Sequence, residues 1–204
     1  MRITIVSGSH RNPSQSIKVA RHIQTALQQK QPTDTIEIFS LADNPLPLWD
    51  QSVWENDPGW QELLDPLHQQ LRASDGFVIV SPEWHGQVPS GLKNFFLLCG
   101  VRELGHKPAL IVTVSSIDGG AYPVAELRMS SYKNNRICYI PEQIIVRKVE
   151  QVLNDDVQQN DPRNDEYYRQ RISWALDILT AYAAAMKPLR ESGVAENKLF
   201  KNGM

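Results

Sequence analysis

The chain has 204 residues, of which 21 are basic and 23 acidic, giving a formal net charge of −2. This length suits one domain around a single core, and the near-neutral charge argues against a nucleic acid or an anionic membrane surface as partner. The apolar stretches are too short for a membrane span or a signal peptide, the two cysteines form no C-x-x-C pair, and the five histidines lack metal-ligand spacing; we therefore expect a cytoplasmic protein without a disulfide framework or a metal site.

The apolar pattern along the chain predicts strands that alternate with helices. The predicted strands cover residues 3–6, 36–39, 77–80, 109–114 and 137–147, the last of them bent or split at Pro141, and helical patterns follow at 14–31, 63–71, 92–99 and around 124–127. A last helix is expected over 161–187, where Asp161 caps it and Pro162 occupies its first position. We expect one domain over residues 1–190 and a flexible tail over 191–204. This alternation is typical of parallel βαβ units.

The first strand runs into a polar turn, Ser7-Gly8-Ser9-His10-Arg11-Asn12-Pro13-Ser14-Gln15-Ser16. Free backbone N–H groups at a helix N-terminus attract a dianion, serine hydroxyls donate to its oxygens, and an arginine grips it in a fork. The turn therefore predicts a binding site for the phosphate of a mononucleotide, which we call the phosphate seat. The alternative is an ordinary strand–turn–helix connection in which Ser14 is only a cap. The dinucleotide pattern G-x-G-x-x-G and the P-loop pattern are both absent.

Two further loops follow the third and fourth predicted strands. Ser81-Pro82-Glu83-Trp84-His85-Gly86 follows the third, and Ser115-Ser116-Ile117-Asp118-Gly119-Gly120 follows the fourth. Right-handed crossovers place these loops and the first turn at one edge of the sheet, where such folds bind ligands. Trp84 could stack on a planar ring, or it could pack in the core, and Gly119-Gly120 would let the backbone approach a ring edge. A phosphate seat beside a slot for a flat heterocycle predicts flavin mononucleotide (FMN).

Three segments also resemble a known family, the NAD(P)H-dependent FMN reductases. The family's phosphate loop, GSxRxxSxS/N, is similar to Gly8 to Ser16. Its SPEYNGSxPGxLKN segment is similar to residues 81–86 together with Pro89, Gly91 and Leu92-Lys93-Asn94. Its LPxYD stretch is similar to Leu46-Pro47-Leu48-Trp49-Asp50. The likeness spans residues 2 to 145. It implies a flavodoxin-like three-layer sandwich, with a five-stranded parallel sheet of order 2-1-3-4-5 between helices on both faces. It also implies bound FMN, NADH or NADPH as the hydride donor, a small acceptor such as flavin or quinone, and a homodimer or homotetramer.

The predicted cofactor-binding residues come from all three loops, and no catalytic side chain is expected because the chemistry occurs on the flavin. Ser9, Arg11, Ser14, Gln15 and Ser16 would hold the phosphate; Pro82, Glu83, Trp84, His85, Gly86, Ser116, Asp118, Gly119 and Gly120 would hold the ring. Trp84 and His85 replace the family's usual tyrosine and asparagine. If His85 reached the pyrimidine edge of the ring, its protonated form would favour the reduced, anionic flavin; alternatively, it points to solvent.

Two other functions remain open from the residues. The first is a flavin carrier or redox sensor that does not turn over NAD(P)H. The second is a phosphoacceptor domain of the same topology, which would need acidic residues after the first and third strands, where Ser7 and Ser81 stand. The tryptophan-rich segment 44–60 either covers a site or is pinned to the body of the domain, and we favour the second interpretation.

Overall fold

The computed structural model describes residues 1–197 and 199–200. Its centre is a parallel five-stranded sheet in the order β2-β1-β3-β4-β5, which confirms the predicted fold class. The strands are β1 (Arg2–Ser7), β2 (Thr35–Ser40), β3 (Gly76–Pro82), β4 (Pro108–Val114) and β5 (Cys138–Val146). Every residue of β3 and β4 is buried, because helices cover both faces of the sheet, and this explains their unbroken apolar sequences.

Within the described residues, six α-helices form the outer two layers. They are α1 (Gln15–Lys30), α2 (Pro58–Ala73), α3 (Ser90–Leu98), α4 (Val101–Leu104), α5 (Ala121–Ser130) and α6 (Pro162–Glu191). The apolar sides of α1 and α6 pack into one buried cluster on one face of the sheet. Those of α2, α3, α4 and α5 pack into a second cluster on the other face. The sheet therefore separates two cores, and the loops at its carboxyl edge lie between the two helix layers.

Several element boundaries differ from the predicted ones. Helix α2 begins at Pro58 because Asp57 caps it, its carboxylate accepting from the amides of Gly59 and Trp60 at 2.9 and 3.1 Å, so the irregular segment is shorter than 44–60. Helix α6 continues past the predicted end at 187 to Glu191 with Pro188 inside it. That proline removes one hydrogen bond to the carbonyl of Ala184, and Ala184 is exposed, so water can take the donor's place.

The predicted bend at Pro141 is confirmed. Pairing between β4 and β5 shifts around Pro141, since Ala109 pairs with Tyr139 whereas Ile111 pairs with Gln143. The Arg128 guanidinium donates to the carbonyls of Ile140 and Pro141 at 2.8 and 3.1 Å, which satisfies acceptors that the bulge takes out of the ladder.

The tryptophan-rich segment is attached to the body by Leu46, which packs against the second core cluster, and by backbone hydrogen bonds to Asn94. The amide of Trp49 donates to Oδ1 of Asn94 at 2.8 Å, and Nδ2 of Asn94, a buried residue of α3, donates to the carbonyl of Pro47 at 2.7 Å. Trp49 and Trp54 contact each other edge to face at 4.7 Å, yet Trp54 remains 74% exposed. The segment is therefore held in place while it presents a large aromatic side chain to solvent.

The predicted tail lies only partly among the described residues. Its first residue, Glu191, belongs to α6, and the Arg136 guanidinium donates to the carbonyls of Ala195 and Phe200 at 3.5 and 2.7 Å. Residues 198 and 201–204 fall outside the described part, and the flexibility of 191–204 stays a prediction. In the described ranges, no helix combines the length and apolarity that crossing a bilayer requires.

Candidate functional site

The three predicted loops meet at the carboxyl edge of the sheet. Each is joined to a neighbouring strand by a backbone hydrogen bond: Gly8 to the carbonyl of Val80 at 2.8 Å, Glu83 to that of Val114 at 3.0 Å, and Ser115 to that of Val146 at 2.9 Å. Gly8 has no room for a side chain, since a Cβ there would lie 2.6 Å from Cδ2 of Leu92. The first turn therefore packs directly on α3.

The first turn presents donors without partners to its surroundings. The backbone amides of Gln15 and Ser16, at the start of α1, donate to no described residue. The Ser16 hydroxyl lies in a residue that is 1% exposed and also has no partner in the described ranges. The Arg11 guanidinium is exposed and pairs with no described carboxylate. Buried polar groups are normally satisfied, so these donors fit an anion at the helix N-terminus.

Ser9 and Ser14 are used within the turn as well. The Ser14 hydroxyl caps α1 by accepting from the amide of Ile17 at 3.2 Å, as the simpler interpretation of this residue predicted. The Ser9 hydroxyl, almost fully buried, accepts from the amide of Arg11 at 3.3 Å. Each hydroxyl still has its own O–H to donate, so neither contact prevents it from binding a phosphate oxygen.

The second loop is a tight hairpin turn that presents Trp84. The backbones of Trp84 and Gln87 exchange hydrogen bonds of 3.1 and 2.9 Å, and the two residues between them have positive φ angles, 51° at His85 and 72° at Gly86. Histidine tolerates this conformation better than most residues, as asparagine does. The His85 side chain is exposed and makes no hydrogen bond with the described residues.

His10, which the sequence analysis did not select, joins the first turn to the second loop. Its ring contacts the Trp84 indole edge to face at 5.0 Å between centroids. Its Nε2 accepts from the amide of Gly91 at 3.0 Å. Trp84 is half-buried and belongs to neither core cluster, so it packs on His10 rather than serving as an ordinary core residue.

Glu83 joins the second loop to the third. Its carboxylate accepts from the amide of Gly120, and a Cβ on Gly119 would lie 2.8 Å from its Oε1. Gly120 has φ of 101°, and a Cβ there would lie 2.5 Å from Cγ2 of Ile145. Gly120 is thus required by its backbone conformation and by Ile145, whereas a side chain at position 119 would displace the Glu83 carboxylate; the sequence analysis gave neither reason. Glu83 acts here through its side chain on the neighbouring loop.

Two of the remaining predicted residues, Ser116 and Asp118, are on the rim of the site. Ser116 and Asp118 are exposed, with side chains that bind no described residue, whereas Pro82 is buried at the end of β3. Two residues that the sequence analysis missed shape the third loop. The Ser115 hydroxyl accepts from the amide of Gly119 at 3.2 Å, and Nε of Arg147 donates to the carbonyl of Gly119 at 3.0 Å. A polar residue directly after β4 was the available signal for Ser115.

Of two cavities in the described part of the chain, only the smaller is lined by residues of these loops. The larger, of about 1040 Å³, lies on the α3 side and is lined largely by apolar residues that include Trp49, Trp54 and Phe96. The smaller, of about 720 Å³, is polar and includes Arg11, Ser14, Gln15 and Ser116. His22 also lines it, and burial together with the nearby Arg169 guanidinium lowers its pKa to about 4, so this imidazole is neutral at pH 7.

Comparison with known proteins identifies the family. Residues 1–151 match the model of the family described as NADPH-dependent FMN reductase. The chain is 33% identical over 125 residues to a quinone reductase of Escherichia coli K12, covering 59% of this chain and 64% of that protein. It is 24% identical over 146 residues to an NADPH azoreductase of Bacillus sp. OY1-2, covering 72% and 76%. The chain thus spans slightly less than two thirds of the length of that quinone reductase.

Solved structures share the fold. FerB, a flavoenzyme NAD(P)H:(acceptor) oxidoreductase from Paracoccus denitrificans, superposes with a TM-score of 0.71 at 19% identity, covering 91% of this chain and 98% of that one. An FMN-dependent NADH-azoreductase from Bacillus anthracis, solved in complex with FMN, gives 0.62 at 18% identity, covering 88% and 99%. Because the family model matches most of the chain, from β1 to beyond β5, the chain belongs to the NADPH-dependent FMN reductase family.

Proposed function

We propose that this protein binds FMN at the carboxyl edge of its sheet and transfers hydride from NADPH or NADH to a small acceptor such as a quinone, an azo compound or a free flavin. The observation that carries the proposal is a set of donors on the first turn that have no partner among the described residues: the amides of Gln15 and Ser16, the buried Ser16 hydroxyl and the Arg11 guanidinium. Membership of the FMN reductase family and the names of its relatives support the choice of reaction.

The protein's part in the reaction is to bind and to position. FMN, when bound, supplies the redox chemistry, by accepting hydride and passing it on. The first turn would hold its phosphate. Trp84 would form one wall of the ring slot, and its orientation is fixed by His10. The amides of His85 and Gly86, which donate to no described residue, are available to the edge of a planar ring.

We further propose that the protein is a cytoplasmic homodimer or homotetramer. Trp54 and Leu97 line the larger cavity and are 74% and 65% exposed, which is unusual for apolar side chains this close together and favours a protein partner. Light scattering on the purified protein and on Trp54→Glu tests this: a lower mass for the variant supports the proposal, whereas a monomeric wild type contradicts it.

Absorbance of the purified protein is the first test of the function. Bound flavin gives bands near ~370 and ~450 nm, which belong to the cofactor itself. Anaerobic addition of NADPH or NADH should bleach the band at the longer wavelength within seconds, and a quinone should restore it. A protein that binds FMN but is not bleached by either donor would be a carrier or sensor, and the proposed reaction would be wrong.

Substitutions on the first turn test the seat of the phosphate. Ser16→Ala and Arg11→Ala should each weaken FMN binding about tenfold, the loss expected for one charge-assisted hydrogen bond to a phosphate. Riboflavin, which lacks the phosphate, should bind wild type and variants alike. Ser130→Ala, at an exposed position of α5, is the control. Unchanged FMN affinity in both variants would place the phosphate elsewhere.

A further inference from the structure

Apart from the residues that it shares with the first turn, the polar cavity of about 720 Å³ has no role in the proposed reaction. It lies between the first turns of α1, the Ser116 loop and the segment after β5 that includes Glu150 and Asp155. Its volume is within the range of roughly 300–1,000 Å³ that is common for small-molecule sites.

This cavity shares a wall with the first turn. Arg11, Ser14 and Gln15 line it, and the same three residues belong to the predicted phosphate seat. An anion at the N-terminus of α1 would therefore have one side on the helix and another side open to the cavity. Oε1 of Gln15 is buried and accepts from no described residue, so an acceptor is also available at the junction.

Some of the basic side chains around the cavity already have partners in the protein, and others have none among the described residues. Nζ of Lys18 is held by the carbonyls of Val149 and Val152 at 2.6 and 2.9 Å, and Nε of Arg169 is paired with Asp165 at 2.7 Å. Arg21, by contrast, is exposed on α1 and makes no contact of this kind with any described residue. Arg11 and Arg21 thus both line the cavity without an ion pair to the described residues. Arg11 belongs to the phosphate seat, whereas Arg21, farther along α1, is available to a second phosphate.

The opposite wall has a different chemistry. Glu150 and Asp155 line it without an ion pair to the described residues, so their carboxylates can accept from hydroxyl and amino groups. The apolar side chains of Ile17 and Val157 add surfaces for a flat ring. A group that combines a phosphate, ribose hydroxyls and an aminated base, namely an adenosine phosphate, matches this arrangement.

We propose that this cavity takes the second phosphate and the adenosine of a flavin dinucleotide whose first phosphate occupies the turn, so that the protein binds FAD in the same orientation as FMN. The inference rests on the proposed function, because it uses the same phosphate seat. The two phosphates of FAD are covalently linked, so the second must lie directly beside the first. Because the cavity shares a wall with the phosphate seat, the second phosphate would lie in the cavity. A pyridine nucleotide bound through its nicotinamide at the ring has no such constraint.

Calorimetric titration of flavin-free protein with FMN and with FAD tests the proposal. The flavin is removed by dialysis against concentrated bromide, and recovery of the circular dichroism spectrum shows that the fold survives. We expect wild type to bind FAD at least as tightly as FMN. Arg21→Glu should weaken FAD binding about tenfold and FMN binding by no more than about twofold, because only FAD places a charge near that side chain. Arg102→Ala, an exposed arginine on the other face of the sheet, should change neither affinity.

Each other outcome has a definite meaning. If FMN binds and FAD does not, the inference is wrong and the proposed function stands. If Arg21→Glu weakens both flavins equally, the side chain acts only through long-range attraction and the cavity has no subsite. If 2′,5′-ADP binds the FMN-loaded protein and Arg21→Glu raises KM for NADPH without changing FAD affinity, the cavity serves the hydride donor and the inference is wrong. If neither flavin binds, the proposed function fails as well.

Discussion

His10 caps helix α3 from a distant part of the chain: its Nε2 lies 3.0 Å from the amide nitrogen of Gly91 and accepts its hydrogen bond. The first amides of a helix need partners outside the helix, and Pro89, at the N-cap position of α3, provides no side-chain acceptor. The imidazole supplies one, with its own proton on Nδ1. Since the same ring contacts Trp84, one residue links the phosphate turn, the ring loop and α3.

Replacing His10 by phenylalanine should therefore destabilise both the fold and the flavin site. Phenylalanine keeps a ring against Trp84 but leaves the Gly91 amide without its acceptor, at a cost of about 1–2 kcal/mol in the free energy of unfolding. Urea unfolding with and without FMN measures both effects. His85→Asn, at an exposed position whose positive φ asparagine accepts, should change stability by less than about 0.5 kcal/mol. Equal stability of His10→Phe and wild type would contradict the capping role.

Glu83 should be required for the third loop through its charge. The carboxylate accepts from the amide of Gly120, and hydrogen bonds to an ionised group contribute about 1.5–3 kcal/mol. Glu83→Ala should lose that contribution and increase hydrogen exchange at residues 115–120. Glu83→Gln keeps an acceptor oxygen and should lose only part of it. If hydrogen exchange at residues 115–120 were as slow in both variants as in wild type, the hydrogen bond between the loops would not be needed to keep the third loop ordered.

These two contacts also show where prediction from the sequence ended. The strands, their order and the three loops could be predicted, because alternation of apolar runs and the family motifs are features of short segments. His10 and Gly91 are 81 residues apart, and Glu83 and Gly120 are 37 apart. No local spacing encodes such pairs. The partners of a side chain depend on how three loops pack, which the order of strands alone does not determine.

The same local signal for a helix start, Asp followed by Pro, was interpreted correctly at one position and missed at another. Asp161-Pro162 correctly predicted the start of α6, since its carboxylate accepts from the amide of Asn164 at 2.8 Å. The same pair of residue types at Asp57-Pro58 starts α2, but the tryptophans around it favoured an irregular loop. Helix α4 was missed because it has only four residues and depends on Glu103, which accepts from the amide of Gly100 at 2.9 Å.

Gly120 provides a steric prediction with a matched control. Alanine there must adopt a φ of 101° and place its Cβ 2.5 Å from Ile145, so we expect a loss of about 3 kcal/mol or more in stability, together with weaker flavin binding. Gly193 also has positive φ, 72°, but a Cβ there meets no atom of the described residues within 4 Å. Gly193→Ala should therefore cost only about 1 kcal/mol, the backbone penalty alone. Thermal unfolding of both variants separates the effect of the contact with Ile145 from that of the positive φ angle. Equal losses of stability in the two variants would show that the contact with Ile145 contributes nothing.

His22 should make the protein's stability depend on pH in a defined window. Burial and the nearby Arg169 lower its pKa to about 4 in the folded protein, against 6.5 for a histidine in the unfolded chain. Between these values the unfolded chain binds more protons than the folded one, so stability is complete above pH 6.5 and is lost as the pH falls toward 4. The shift corresponds to a loss of up to about 3 kcal/mol. His22→Gln retains an acceptor for Arg169, whose Nη1 lies 3.4 Å from the imidazole Nδ1, but cannot titrate. Urea unfolding from pH 7 to pH 4 should therefore show a smaller loss for His22→Gln than for wild type, whereas His85→Asn should follow the wild-type curve. The same loss in all three proteins would show that other groups, such as Asp165 and Asp155 beside His22, account for the acid sensitivity.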